Sequence, residues 1–559
     1  MKKSFFVVVL LALPFMLFSQ MDAKTILGRR GEVYFKFRID SERLNEISRL
    51  VSVDGYRDGC CYAYANAREF ESFCQLGIEC EPVREYYESK SDLVMAESLQ
   101  DMFSWNKYPT YGIYVEMMRY FASTYPEICK LDTIGTSYSG YKLLAVKISD
   151  NVNDDEMQPE FFLGGQMHGD ELIGSMVCLR LINKLLSEYG TNQQITDIVN
   201  NVEIFINPIS NPEGTYFEGA NSVDGSIRYT RVGPYEGDYI DMNRNFPDPL
   251  NGDHPDGNVY SLETQAFMDY ADEHRFVMSA NLHSGAEVVN YPFDTDQALP
   301  ADDAWWRLVS EEYVSLARQA GGDSYMTSDF PSGYINGYAW YSITGSRQDY
   351  MNYFKHCREV TLELSIDKKL ENNLLADYTS RNMSPMLAYI GRATKGLRGT
   401  VTDSITGEPL ESQVFIHGHD YFNSHVYSFL PTGEYYRYLK AGSYEVSYYA
   451  SGYIHKTFTV NITDDAPLQL DVQLVAGYDP EYVGDIESTS LVLYPNPATD
   501  RLFLGEVMKD VEIYDVSGRL VCSYDINYGV IDISGLKQGM YMLKASDGDK
   551  TFMAKFVKR

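Results

Sequence analysis

Between residues 103 and 393 the apolar positions recur with two alternating periods. Helical spacing runs through Leu172–Tyr189, Asp303–Ala320 and Asn373–Thr394. Short apolar runs lie between them at Lys142–Ile148, Glu160–Leu163, Val202–Ile206, Val277–Leu282 and Glu359–Leu364. Helix-length patterns alternating with strand-length ones predict an α/β sheet with helices on both faces. Upstream, Glu32–Ile39 and Cys61–Ala65 flank a helix-like run, Ser41–Leu50, which predicts a small α/β module over residues 21–100. After Gly396 the helical period disappears. Period-two runs at Gly399–Asp403, Gln413–His417 and Ser443–Tyr449, separated by turn residues, predict a small β-sandwich over 396–476. A loose acidic segment over 477–489 leads to a last short-strand unit, 490–559.

The chain opens with MKKSFFVVVLLALPFMLFSQ. Two lysines before an apolar stretch too short to span a bilayer comfortably predict a signal peptide over residues 1–20. No other apolar run reaches the ~20 residues of a membrane span, so no stable transmembrane segment is expected. The formal charge of −32 over 559 residues repels phosphate backbones and argues against a nucleic-acid partner, while cationic substrates are drawn in. Four of the eight cysteines, at 60, 61, 74 and 80, fall in the N-terminal module, where export permits disulfides. No pair has the spacing of a cysteine zinc site.

Candidate chemistry gathers in the 103–393 region. His168 and Glu171 lie three apart where an apolar strand turns, through glycines, into the helical pattern at Leu172. Both can converge on one ion, and imidazole with carboxylate suits zinc, whose catalytic sites take three protein ligands and leave one position open. A second such pair, His356 and Glu359, shows how weak the spacing is alone. Among nine histidines, His283 is the best third ligand because it ends an apolar strand, where open α/β sheets place ligand groups. His254, in a polar loop, reads as solvated. Glu363 stands between two leucines of a predicted strand, a costly place for a charge without a task.

These residues sit in motifs that resemble the zinc metallocarboxypeptidases, in the regulatory branch of carboxypeptidases D, E, M and N. The motifs are His168-Gly-Asp-Glu171, Asp241-Met-Asn-Arg-Asn-Phe-Pro-Asp248, Leu282-His-Ser-Gly285, Asn290-Tyr-Pro-Phe-Asp294, Trp340-Tyr341, Gln348-Asp349-Tyr350 and Thr361-Leu-Glu-Leu-Ser365. The resemblance implies an α/β fold, a mixed-sheet carboxypeptidase-like catalytic domain over 101–395 followed by small all-β sandwich domains. It implies one Zn2+ held by His168, Glu171 and His283, with Glu363 as general base. It further implies that Asn243, Arg244 and Tyr341 hold the substrate's terminal carboxylate, for which a guanidinium fork is well suited. Asp294 and Gln348 would form the pocket for a C-terminal Lys or Arg side chain. An oxyanion-stabilising arginine is expected at Arg228, with Arg231 as the alternative. The chain departs from the branch at His-Ser-Gly, Gly-Ser-Arg-Gln-Asp, Asp-Met-Asn and Asn211-Pro-Glu-Gly, and Ser346 and Arg347 are expected beside the pocket.

Gly399-Thr-Val-Thr-Asp-Ser-Ile-Thr-Gly-Glu-Pro-Leu410 resembles the opening of the transthyretin-like domain of this branch, and His417 and His419 there are expected to be structural. Leu491-Val-Leu-Tyr-Pro-Asn-Pro-Ala498, Val511–Arg519 and Gly539-Met-Tyr541 resemble the C-terminal sorting domain of the type IX secretion system. That implies export across a Gram-negative outer membrane, with the secretion machinery and peptides or proteins with free C-termini as partners. The expected function is a secreted zinc carboxypeptidase that prefers C-terminal Lys or Arg. A cell-wall peptide amidase with the same metal site and an inactive surface adhesin are the alternatives. Residues 21–100 are expected to be propeptide-like.

Overall fold

The computed structural model describes residues 23–83, 86, 93–154, 156–235, 238–477, 479, 493, 496–515, 519–546 and 551–559. The expected signal peptide lies outside these residues, as does all of the expected linker except Gly477 and Asp479. At the N-terminus, β1 (Val33–Arg38), β2 (Ser52–Arg57), β3 (Cys60–Ala65) and β4 (Cys80–Pro82) form an antiparallel sheet in the order β2-β3-β1-β4. Helix Ala67–Cys74 packs on it. Asn66 accepts from the Arg68 and Glu69 amides while Glu69 accepts from the Asn66 amide, a capping box that fixes where this helix starts. Phe35, Phe37, Phe70 and Phe73 fill the core between helix and sheet. The expected helix Ser41–Leu50 is shorter, a 3-10 turn Ser41–Arg43 followed by Leu44–Ile47.

The central sheet has eight strands. They are β5 (Cys129–Thr136), β6 (Lys142–Ile148), β7 (Glu160–Gly165), β8 (Glu203–Asn207), β11 (Phe276–His283), β12 (Ala286–Tyr291), β13 (Tyr334–Asn336) and β14 (Arg358–Ser365); a separate ribbon pairs β9 (Thr230–Arg231) with β10 (Tyr239–Ile240). The order is β13-β12-β14-β11-β7-β8-β6-β5. The middle strands β14, β11, β7 and β8 run parallel, β12 pairs antiparallel with β14 and parallel with β13, and β6 runs antiparallel to both β8 and β5, so the sheet is mixed. Both faces are covered, and side chains alternate between them. Phe161 and Leu163 join the core under helices Ile173–Glu188, Asp303–Gly321 and Met383–Arg392, while Phe162 joins the opposite core under Leu262–Glu273. The central strands are buried throughout and therefore read as largely apolar runs, interrupted in β11 by Ser279 and Asn281. Edge strand β5 is half exposed, reads Cys-Lys-Leu-Asp-Thr-Ile-Gly-Thr, and left no such signal. The single helix expected over Asn373–Thr394 is two helices, Asn372–Arg381 and Met383–Arg392. Pro385 has no amide to offer the Arg381 carbonyl, so the ladder breaks there.

Residues 396–476 form two sheets, one built on Gly396–Asp403 and the other on Gln413–Ile416, Gly442–Tyr449 and Lys456–Ile462, around a shared core of Leu397, Val401, Val414, Ile416, Val446 and Val460. Strands Arg501–Asp515, Leu520–Asp532, Gly539–Ser546 and Thr551–Lys558 form an antiparallel sheet. A buried charge cluster joins the two-sheet unit to the α/β unit. Arg437 donates to Asp302 at 2.9 Å and to Asp420, and Arg358 donates to Asp302 at 3.0 Å; all four are buried. Removing the guanidinium in Arg437→Met leaves two buried carboxylates with one cation. It is expected to lower unfolding stability by about 3–5 kcal/mol, read from the urea midpoint.

Candidate active site

The parallel strands β7, β11 and β14 carry the site at their C-terminal ends, where open α/β sheets place ligand groups. The chain leaves β7 through Gln166, in the left-handed region at φ 56°, and reaches His168 and Glu171 before helix Ile173–Glu188 begins. Gly169 is required at this turn, since a Cβ there would lie 2.4 Å from the Gly214 carbonyl carbon and the Ile227 oxygen. His283 ends β11 and sits in register with Glu363 on neighbouring β14. The fold thus brings together residues separated by nearly 200 positions.

His168, Glu171 and His283 are all buried, and one ligand atom from each lies within 4.8 Å of the others. His168 Nδ1 is 2.9 Å from Glu171 Oε1, and His283 Nδ1 is 2.9 Å from Glu171 Oε2. The two Nδ1 atoms face each other at 3.0 Å. His168 Nε2 lies 3.0 Å from Asp241 Oδ1, which assigns the ring proton to that side and leaves Nδ1 as a lone pair. Lone pairs from two imidazoles and a carboxylate converging on one point repel unless a cation lies between them, so this donor set fits a zinc ion.

Arg228 lies against this cluster. Its Nη1 donates to Glu171 Oε1 at 2.9 Å and its Nε to Ser52 Oγ at 3.0 Å and Asp241 Oδ2 at 3.3 Å, with the guanidinium over the Tyr64 ring. Arg231 points elsewhere, donating to the Gly233 and Pro234 carbonyls and stacking on Tyr138. Glu363 lines the same cavity, its Oε2 buried without a partner. Burial, and then the Glu171 carboxylate, push its carboxyl well above the ordinary range.

Asn243 and Arg244 follow Asp241 in a 3-10 turn. The Asn243 Oδ1 accepts from the Arg347 amide at 3.0 Å, and Arg244 Nη1 donates to the Asn243 carbonyl at 2.9 Å while its Nε is buried with no partner. Tyr341 faces the cavity and donates to the Val53 carbonyl at 3.3 Å. Asp294 lines the far end, accepting from Asn290 Nδ2 at 3.1 Å, Gln348 Nε2 at 3.2 Å and Ser346 Oγ at 2.7 Å. Burial raises its carboxyl above the usual range. Gly337 gives it space, since a Cβ there would sit 1.9 Å from Asp294 Oδ1. Gln348 braces Asp294 from behind, with its Oε1 taken by the Thr361 amide at 2.7 Å.

Ser346 is beside the pocket, as expected, but Arg347 is not. It runs under the sheet between Phe162 and Phe267 and pairs with Glu359 at 2.9 Å. That pairing takes Glu359 away from His356, which instead contacts the Asn423 carbonyl. His254 stacks on Tyr260, His417 contacts Ser447, and His419 contacts Asp302. Sequence reasoning assigned no role to Asp241, Asn290 or Ser346, although each lies inside or next to a quoted motif. It also missed Ser52 and Asp54 of β2, which reach the cluster from the N-terminal module and which no local pattern marks.

Residues 114–384 match the family model described as zinc carboxypeptidase, and residues 492–559 match the secretion system C-terminal sorting domain. The latter marks an exported chain, secreted or at the cell surface. Carboxypeptidase D of Mus musculus is 32% identical over 370 residues, covering 64% of this chain and 26% of its own length. The chain therefore spans about a quarter of that relative. Carboxypeptidase M of Mus musculus is 33% identical over 357 residues, covering 61% of this chain and 77% of its own. Among solved structures, carboxypeptidase A from Helicoverpa armigera superposes with a TM-score of 0.51 at 19% identity, over 65% of this chain and 97% of that one. Its fold is shared. With these motifs, this donor set and these relatives, the chain belongs to the zinc carboxypeptidase family.

Proposed function

We propose that this chain is an exported zinc metallocarboxypeptidase that removes C-terminal Lys or Arg from peptides and proteins. The observation that carries the reading is the convergence of His168, Glu171 and His283 beside Arg244, whose buried Nε has no partner. A free carboxylate is the natural complement of that guanidinium, and a chain without one would leave it unpaired. His168, Glu171 and His283 would hold the zinc, which when bound supplies Lewis acidity to activate water and polarise the scissile carbonyl. In this reading Asn243, Arg244 and Tyr341 fix the terminal carboxylate. Glu363 takes the proton from the attacking water and returns it to the leaving amine as the C–N bond breaks. Arg228 donates to the oxygen on which negative charge develops. Asp294, held by Asn290, Ser346 and Gln348, pairs with the cationic side chain of the departing residue. The branch-like relatives D and M point the same way.

The N-terminal module acts in this reading as a propeptide-like cover. Strand β2 crosses the cleft, where Ser52 bonds Asp241, Val53 bonds Tyr341 and Asp54 pairs with Lys368. The space left over the site is about 40 Å³, room for solvent and not for a peptide. The module is held down by Glu32, which accepts from the Arg228 and Tyr229 amides, and by Tyr64, which donates to Asp170.

In Glu363→Gln, hippuryl-Arg turnover is expected to fall by on the order of 10²–10⁴ with zinc content retained, whereas His283→Ala loses both; retained turnover in the first would reassign the base. Peptides differing only in their last residue should be cleaved fastest with Lys or Arg ends. Asp294→Ala should lower that preference by about tenfold or more, and equal rates for Lys, Leu and Glu ends in the unaltered protein would remove it. A limited tryptic cut at Arg84 or Lys90 should raise the hydrolysis rate above that of the uncut chain, and an unchanged rate would remove the cover role.

A further inference from the structure

Asp54 and Lys368 meet at the mouth of the site. Asp54 Oδ1 lies 2.5 Å from Lys368 Nζ and 3.7 Å from Arg228 Nη1, and Asp54 Oδ2 accepts from the Tyr34 hydroxyl at 2.8 Å. Lys368 follows β14 by three residues, and its side chain is 11% exposed. Its Nζ also stands 3.5 Å from Glu171 Oε1 and 3.8 Å from Asp170 Oδ2, above the face of Tyr64. Burial alone would push the Asp54 carboxyl up. Lys368 and then Arg228 outweigh it and hold it below its usual range, although three further carboxylates, Asp170, Glu171 and Glu363, lie nearby.

The position of this pair gives it meaning. Arg244, Asp294 and Gly337 line only the site cavity, whereas Asp54 and Gly285 line both that cavity and a neighbouring cleft of about 1410 Å³ that Lys368 also borders. With the N-terminal module displaced, Gly285 and residues 366–369 and 371–374 remain as the other wall of that cleft, and a peptide whose terminus sits on Arg244 would leave the site past Gly285 and Lys368. Gly285, at φ 123°, keeps this exit narrow but open, because a Cβ there would lie 3.2 Å from Lys368 Cε and 3.8 Å from Asp54 Oδ1.

We propose that Lys368, beside the Arg228 guanidinium, forms a subsite for a carboxylate on the upstream side of the scissile bond, that Asp54 occupies it while the cover is in place, and that the preferred substrates carry Glu or Asp next to the C-terminal basic residue. The inference rests on the carboxypeptidase reading. It also explains how a strongly acidic protein accepts an acidic segment: charges beyond about 8 Å are screened at physiological salt, and at contact the segment meets two cations.

The test uses the full-length, zinc-loaded chain after the tryptic cut, with dansyl peptides ending in Glu-Arg or Gln-Arg. The ratio of kcat/KM between them is expected to be about tenfold in favour of Glu, and Lys368→Met is expected to bring it to about one. A ratio of one in the unaltered protein, or a preference that survives Lys368→Met, overturns the subsite. A second measurement needs no turnover. In the uncut chain, Asp54→Asn and Lys368→Met should couple in a double-mutant cycle on the unfolding midpoint, and additive effects overturn the proposal. No turnover on any peptide with that coupling intact would sink the peptidase reading while still supporting a slot that holds a carboxylate.

Discussion

The Glu171 carboxylate is the point on which the site depends. Its two oxygens face His168 and His283, and it accepts from Arg228 and from the Ser284 amide. A carboxylate this buried would ordinarily take up a proton, because desolvation penalises the charged form. Here the Arg228 guanidinium, the Lys368 ammonium and the Ser284 amide favour its charged form, and their contacts set where each of those groups must stand. Arg228 is oriented by the same constraint, since its other nitrogen reaches Asp241, which in turn orients His168.

The sheet makes this arrangement possible at low conformational cost. Three adjacent strands end at the same level: His283 and Glu363 stand in register on β11 and β14, and His168 follows the end of β7 by three residues. Side chains held on such strand ends lose little further entropy on binding a substrate. The opposite end of the cavity is built differently. Asp294, Tyr341 and Ser346 come from loops and short helices; Asp294 and Ser346 bond each other and Asp349, while the Tyr341 hydroxyl reaches the Val53 carbonyl. One end of the cavity thus rests on the sheet, and the other on loops braced against it.

The N-terminal module uses the same polar groups in another way. Its strand β2 and its tyrosines bond polar groups at the cleft, among them Tyr341, Lys368 and Asp170. Covering a cleft with hydrogen-bonding partners of this kind avoids leaving buried charges unpaired. It also places a carboxylate, Asp54, where two cations of the cleft converge.

Much of this was legible along the chain. The buried strands announce themselves as apolar runs, and His168, Glu171, His283, Arg244 and Glu363 stand in motifs whose order and spacing are specific. Elsewhere the local pattern carried little information. The half-exposed strand Cys129–Thr136 has no apolar run, Pro385 divides a helix whose period looks continuous, and Arg347 was indistinguishable from a pocket residue until its pairing with Glu359 was seen. Sequence by itself determined the elements and the identity of the chemical groups, because periodicity and side-chain type are local properties. Only the tertiary structure decided which arginine faces the metal ligands, which residues brace Asp294 and that β2 lies across the cleft, because those contacts join positions up to some 300 residues apart whose separation in the chain says nothing of their distance in space.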